Sequence, residues 1–154
     1  MRIPRSRFRL FAAISALRQM AFVLLAGIAI CPSAAHAASL YERLGGEPVV
    51  SVIASELIRT AAKDPATSRS FEGVRLQNTE RQLAAQICEL TGGGCHRDGD
   101  SMKDVHGGQG ITQQEFYALV EMLRDVMVRH GVALRERNEL LALLAPMKRD
   151  IVER

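Results

Sequence analysis

Four histidines and three cysteines are the residues of this 154-residue chain best suited to holding a metal or exchanging electrons. His106 stands apart from the other histidines because of its surroundings, the stretch MKDVHGGQGIT from Met102 to Thr112. A short run of helix-forming and apolar residues delivers the imidazole, and Gly107, Gly108 and Gly110 then let the backbone turn sharply. A long segment with an apolar face follows, beginning at Phe116. An imidazole on a short helical segment, with small residues behind it and an apolar wall opposite, suits a metal held by one protein ligand. Haem iron is such a metal, because a single proximal histidine is enough to hold it. By itself the motif also describes a surface helix end that carries a histidine, so the remaining elements must decide.

The other chemistry-bearing residues read differently. His96 lies beside Cys95 in a glycine-rich loop and reads as solvated, and His130 precedes Gly131 at a helix end, where an imidazole meets the last carbonyls. Neither is a candidate ligand. Cys88 and Cys95 have six residues between them, and in an oxidising compartment an intramolecular disulfide is the favoured reading over two free thiols. A loop this short would contribute roughly 2–3 kcal/mol in the chain-entropy treatment. The spacing is not that of a CxxC redox site.

The compartment is suggested by the first residues. Arg2, Arg5, Arg7, Arg9 and Arg18 come with no acidic residue, the apolar run Met20–Ile30 follows, and Ala35, His36 and Ala37 make an AxA cleavage site. We expect residues 1–37 to be a signal peptide and the mature protein to be exported, into a periplasm. The apolar run is short for a permanent span, which disfavours a signal anchor, and Ile30 before Cys31 disfavours a lipoprotein site. Cleavage leaves residues 38–154, one domain with one core. It removes five of the 20 basic residues and none of the 17 acidic ones. The basic balance of the whole chain thus belongs to the leader, and no nucleic-acid partner is argued from it.

The elements that must position His106 are helical throughout. Leu40, Tyr41 and Leu44 make a short turn that stops at Gly45 and Gly46. Val49, Val50, Ile53, Leu57, Ile58 and Ala61 recur at three- and four-residue steps, predicting a helix from about Glu47 to Lys63 closed by Asp64 and Pro65. Residues 66–70 read as polar and irregular, followed by the isolated Phe71. A third helix is predicted from about Leu76 to Leu90, with Thr79, Leu83, Gln86, Ile87 and Leu90 along one side and Gly92, Gly93 and Gly94 ending it. Thr112 and Glu115 form a capping box for a helix carrying Phe116, Leu119, Val120, Leu123, Val126 and Met127. The last helix, about Leu134 to Val152, contains Pro146, which predicts a kink or break near Leu144–Pro146. No stretch alternates with a period of two. Four main helices can bury a flat apolar ligand between two helix pairs.

In this order the residues resemble the group I truncated haemoglobins. LYERLGGEPVV, the Asp64–Pro65 step, FEGV from Phe71, the cluster Gly92–Gly94, MKDVHGGQGIT and the ending LLALLAPMKRDIV all match that pattern across nearly the whole of residues 38–154. The resemblance implies an all-α, two-over-two truncated globin sandwich around haem b. His106 matches the proximal iron ligand and Phe71 the phenylalanine that packs on the haem. Met102, Ile111 and Phe116 match residues lining the proximal side. On the gas side the chain departs from the family: Ile58 stands where a tyrosine is common, and Leu83 where a glutamine often faces the bound gas. Thr79 and Gln82 are the polar side chains left nearby. Arg97 replaces a usual tyrosine, as a solvated loop charge or as a partner for a haem propionate.

The implied function is reversible binding of O₂, NO or CO at an open iron position, for scavenging, sensing or delivery. Losing a donor to polarised O₂ costs on the order of 1.5–3 kcal/mol, a 10- to 100-fold loss of affinity, so Ile58 and Leu83 predict weak O₂ retention. Nitric-oxide dioxygenation, the enzymatic activity the family suggests, needs a long-lived O₂ complex and a reductase. Export separates the protein from cytosolic reductases, so gas binding is the primary expectation. The alternative is a haem-free exported helical binding module on the same scaffold. A peroxidase-like role lacks a distal acid–base residue.

Overall fold

The computed structural model describes residues 37–154, and the structural statements below are made of these residues. The signal-peptide expectation, including Cys31, falls on residues 1–36, outside them. The described residues hold helices and no strand. The first, α1 (Leu40–Arg43), is opened by a capping box that the sequence pattern S-x-x-E contains but the hydrophobic reading passed over. Ser39 Oγ accepts from the Glu42 amide at 3.2 Å, and the Glu42 carboxylate accepts from the Ser39 amide at 2.9 Å. Gly45 then turns the chain at φ 103°, and a Cβ there would meet Val49 Cγ2 at 2.4 Å. Both conformation and space therefore demand glycine.

The next helix, α2, spans Gly46–Ala61, two residues short of the expected end. The reason is Pro65, which has no N–H to give the Ala61 carbonyl. The Thr67 hydroxyl donates to that carbonyl instead, at 2.7 Å and fully buried. Where the sequence reads as irregular, the chain winds into a 3₁₀ turn, Ser68–Phe71. Helix α3 covers Leu76–Leu90 as predicted. Its end is closed by the Thr91 hydroxyl, which donates to the Ile87 carbonyl at 2.6 Å, and the Tyr41 amide donates to the Thr91 carbonyl at 2.9 Å, tying α1 to this turn. Cys88 and Cys95 are joined as a disulfide with Cα atoms 5.7 Å apart, within the ordinary span of such a link.

After the short helix α4 (Met102–His106) comes α5 (Gln113–Arg129), opened by the predicted capping box of Thr112 and Glu115. The predicted final helix is divided, as Pro146 requires, into α6 (Leu134–Leu144), a 3₁₀ turn (Ala145–Met147) and α7 (Lys148–Ile151). Helix α2 packs on α3 and α5, α6 packs on α1 and α5, and α4 rests mainly on α7. The core between them is built from Leu44, Val50, Ile53, Leu57, Ile87, Leu123, Val126, Met127 and Leu140. Burying a side chain of this size is worth about 1.5–3 kcal/mol. His130 departs from expectation: its Nε2 pairs with Glu56 Oε2 on α2 at 2.6 Å rather than with the carbonyls of its own helix. The Glu56 carboxyl is held below its ordinary pKa, first by His130 and then by Arg129. No described helix is long and apolar enough to cross a membrane.

Candidate functional site

His106 closes α4, and its Nδ1 lies 2.8 Å from the Met102 carbonyl, one helical turn earlier. A carbonyl can only accept, so in the neutral ring Nδ1 carries the proton and Nε2 keeps its lone pair. This is the arrangement that fixes tautomer and ring direction in a metal-binding histidine. Met102 thus serves the imidazole through its backbone. Ser101 starts the helix, accepting the Asp104 amide at 3.2 Å. At Gly107 a Cβ would come within 2.9 Å of the Lys103 carbonyl oxygen, so the helix can end there only on glycine.

The glycine loop that follows is clamped from two sides. Glu153, at the C-terminus, accepts the amides of Gly108 and Gly110, both at 2.6 Å, and these two donors hold its carboxyl below the usual pKa. The Ile111 carbonyl accepts the Glu153 amide at 2.9 Å. From the other side Arg69, in the turn that carries Phe71, donates to the Gln109 carbonyl at 3.0 Å and pairs with Glu115 at 2.6 Å. One guanidinium therefore connects the Phe71 turn, the loop after His106 and the start of α5. Glu115 is pushed down to about 2, first by the Thr112 backbone amide, with the Thr112 hydroxyl and Arg69 adding to it. Neither Arg69 nor Glu153 was marked by any local signal, because each acts across forty or more residues.

Of the predicted proximal residues, Ile111 is buried, and Met102, Phe71 and Phe116 are half-buried. Two phenylalanines left partly open in a chain this small are apolar surface available to a flat apolar group. On the opposite side Ile58 is 4 % exposed in α2. Leu83 is half-buried against the core. Thr79 is half-buried with its hydroxyl leaning back toward the Arg75 carbonyl at 3.5 Å. Gln82 is exposed, its Oε1 beside Gly99. The buried polar residue on this side is Gln86, 8 % exposed, whose Oε1 has no hydrogen-bond partner and whose Nε2 meets only the Met147 thioether at 4.0 Å. An amide end unpaired at this depth costs about 1–3 kcal/mol. The sequence placed Gln86 on the inward stripe of α3 without singling it out.

Arg97 donates to the Asp100 carbonyl at 2.8 Å, closing its own loop, and is half-buried rather than freely solvated. His96 is exposed and pairs with Glu89 at 3.1 Å. Among the described residues no three His, Cys, Asp or Glu side chains gather where they could hold a metal, so an iron at His106 would take its remaining ligands from a porphyrin. The free Nε2, the open phenylalanine faces and the unpaired Gln86 amide fit such a group. A surface groove of about 720 Å³, lined by Ser55, Glu56, Arg59 and Lys63 among others, contains none of these residues.

Comparison with known proteins agrees with this geometry. The bacterial-like globin family matches residues 39–153. The chain is 28 % identical over 117 residues to the group 1 truncated hemoglobin GlbN of Mycolicibacterium paratuberculosis, covering 76 % of this chain and 86 % of that one. It is 25 % identical to the GlbN of Nostoc commune, covering 75 % and 98 %. Among solved structures, the truncated hemoglobin of Tetrahymena pyriformis in its Fe(III) form superposes with a TM-score of 0.72 at 22 % identity, over 76 % of this chain and all of that one. The 2/2 hemoglobin of Synechococcus sp. PCC 7002, a cyanomet form with covalently attached heme, superposes at 0.70 and 23 % identity, with the same coverage. With the family matched over residues 39–153 and the helices superposing on 2/2 hemoglobins, the chain belongs to the bacterial-like globins, on the truncated haemoglobin fold.

Proposed function

We propose that this globin holds haem b through Nε2 of His106 and reversibly binds a diatomic gas, O₂, NO or CO, as an exported scavenger, sensor or carrier. The observation that carries the reading is the 2.8 Å bond from Nδ1 to the Met102 carbonyl, which leaves Nε2 as the basic nitrogen. Held by His106, the haem would supply an iron able to take a diatomic gas. The chain's own residues do the rest. Met102 orients the ring, Glu153 and Arg69 hold the loop behind it, and Phe71, Ile111 and Phe116 offer apolar surface that keeps water away. Cys88 and Cys95 are spent on each other, which favours a non-covalent haem over one linked through these thiols.

The gas side is poor in donors. Ile58 and Leu83 have none, and the Thr79 hydroxyl faces its own helix. O₂ is therefore held less firmly than by a relative with a buried tyrosine, and gas binding is favoured over nitric-oxide dioxygenation, which would also need a reductase. The basic leader, the AxA site and the Cys88–Cys95 link support an oxidising compartment; the mass of the mature protein from a periplasmic fraction tests this.

The decisive experiment is His106→Gly in the purified mature protein. We expect loss of the haem absorption band and its return on adding free imidazole, which fills the vacated ligand position. Equal haem uptake with and without His106 refutes the assignment and leaves a helical binding module in its place.

A further inference from the structure

Helix α3 has two working faces. Toward α2 it sends Glu80, which accepts from Arg59 Nε at 2.9 Å and Ser55 Oγ at 3.1 Å, and on the same phase Ala84, Ile87 and Thr91. About a quarter turn round the helix runs the stripe Thr79, Leu83, Gln86 and Leu90. Thr79, Leu83 and Leu90 are half-buried, and Gln86 alone on this stripe is buried, at 8 % exposed. Its amide meets Met147, the last residue before α7, and α7 is the element on which the His106 helix rests. Gln86 therefore lies where α3 meets the C-terminal segment on which the His106 helix rests. It brings to that place an amide with one end on a weak thioether acceptor and the other unpaired.

We propose that Gln86 is the hydrogen-bonding residue of the gas-binding chamber, in place of Thr79 or Gln82; this rests on the function proposed above. Bound O₂, NO and CO accept hydrogen bonds and donate none. The two ends of a carboxamide have nearly the same size, so half a rotation about its terminal torsion exchanges Oε1 for Nε2 without repacking. Gln86 can thus turn an N–H toward a bound gas and give up only its contact with the Met147 sulfur. Thr79 directs its hydroxyl to the Arg75 carbonyl, and Gln82 lies at the surface beside Gly99. The chamber then has one weak donor, mounted on α3.

The test is the C–O stretching band of the ferrous CO complex, with O₂ dissociation as a second readout. Wild type is compared with Gln86→Leu and with Gln86→Met, which keeps the side-chain volume and removes the amide, so that a folding defect in one variant leaves the other to decide. A donor near the CO oxygen lowers the band. Both variants should therefore move it to higher wavenumber and speed O₂ release roughly 2- to 10-fold, with CO release little changed. An unmoved band and unchanged O₂ release in both variants overturn the assignment of Gln86 while leaving the haem reading intact, and so does a shift produced by Thr79→Val instead. A wild-type protein that forms no CO complex overturns both.

Discussion

Replacing Ile58 by tyrosine tests the account of the gas side most directly. Ile58 is 4 % exposed on the inner face of α2, so a phenol introduced there has no water to meet its hydroxyl. In the ligand-free protein the larger ring strains a packed helix face by about 1–3 kcal/mol, and an unpaired hydroxyl adds a similar penalty. Bound O₂ offers that hydroxyl an acceptor carrying partial negative charge, and a hydrogen bond of this kind is worth about 1.5–3 kcal/mol. Release of O₂ should therefore slow roughly 10- to 100-fold, while CO, far less polar, leaves at nearly its original rate. Stopped-flow displacement of each gas from the ferrous protein measures both rates, and a thermal melt of the ligand-free variant should show the loss of stability. The reasoning fails if O₂ and CO slow by the same factor, which would mean steric trapping, or if neither rate changes, which would mean that position 58 does not face the gas.

Other outcomes follow from contacts away from the gas. Converting Cys88 and Cys95 together to alanine should lower stability by roughly 2–3 kcal/mol, and a reductant should bring the wild type to the same melting temperature; an unchanged melt would show that the Thr91 and Tyr41 bonds already hold this turn. Glu115 has its folded pKa depressed from 4.5 to about 2, so its contribution is complete above the unfolded value near 4.5 and is lost as pH falls toward 2. Urea midpoints measured across that window should therefore fall less steeply with acid in Glu115→Gln than in wild type. Glu153→Gln removes the charge that accepts the Gly108 and Gly110 amides, and hydrogen exchange at these two amides should accelerate while the core amides of α2 stay protected. Exchange that speeds up everywhere would mean that Glu153 supports the whole fold and not this loop.

Much of the fold is written in local signals. The three- and four-residue recurrence from Val49 to Ala61, the Thr112–Glu115 capping box, Gly131 past the end of α5 and the break at Pro146 each act within a few residues, so they are legible without the fold. The setting of His106 is local in the same way, since its flanking glycines and its partner at Met102 lie within one turn of it. Tertiary structure decided the rest. Four-residue spacing puts Gln82 and Gln86 on one side of α3, yet Gln86 is buried beside Met147 and Gln82 is exposed, a difference set by which distant segment packs at each level of the helix. His130 found Glu56 on the neighbouring helix α2 because a carboxylate in reach outcompetes a helix-end carbonyl. Arg69 and Glu153 reach the loop behind His106 only once segments forty or more residues away in the chain have folded against it. Periodicity and caps are short-range and leave their mark in the order of residues; a side chain's burial and distant partner depend on which remote segment packs against it, which no single stretch of chain contains.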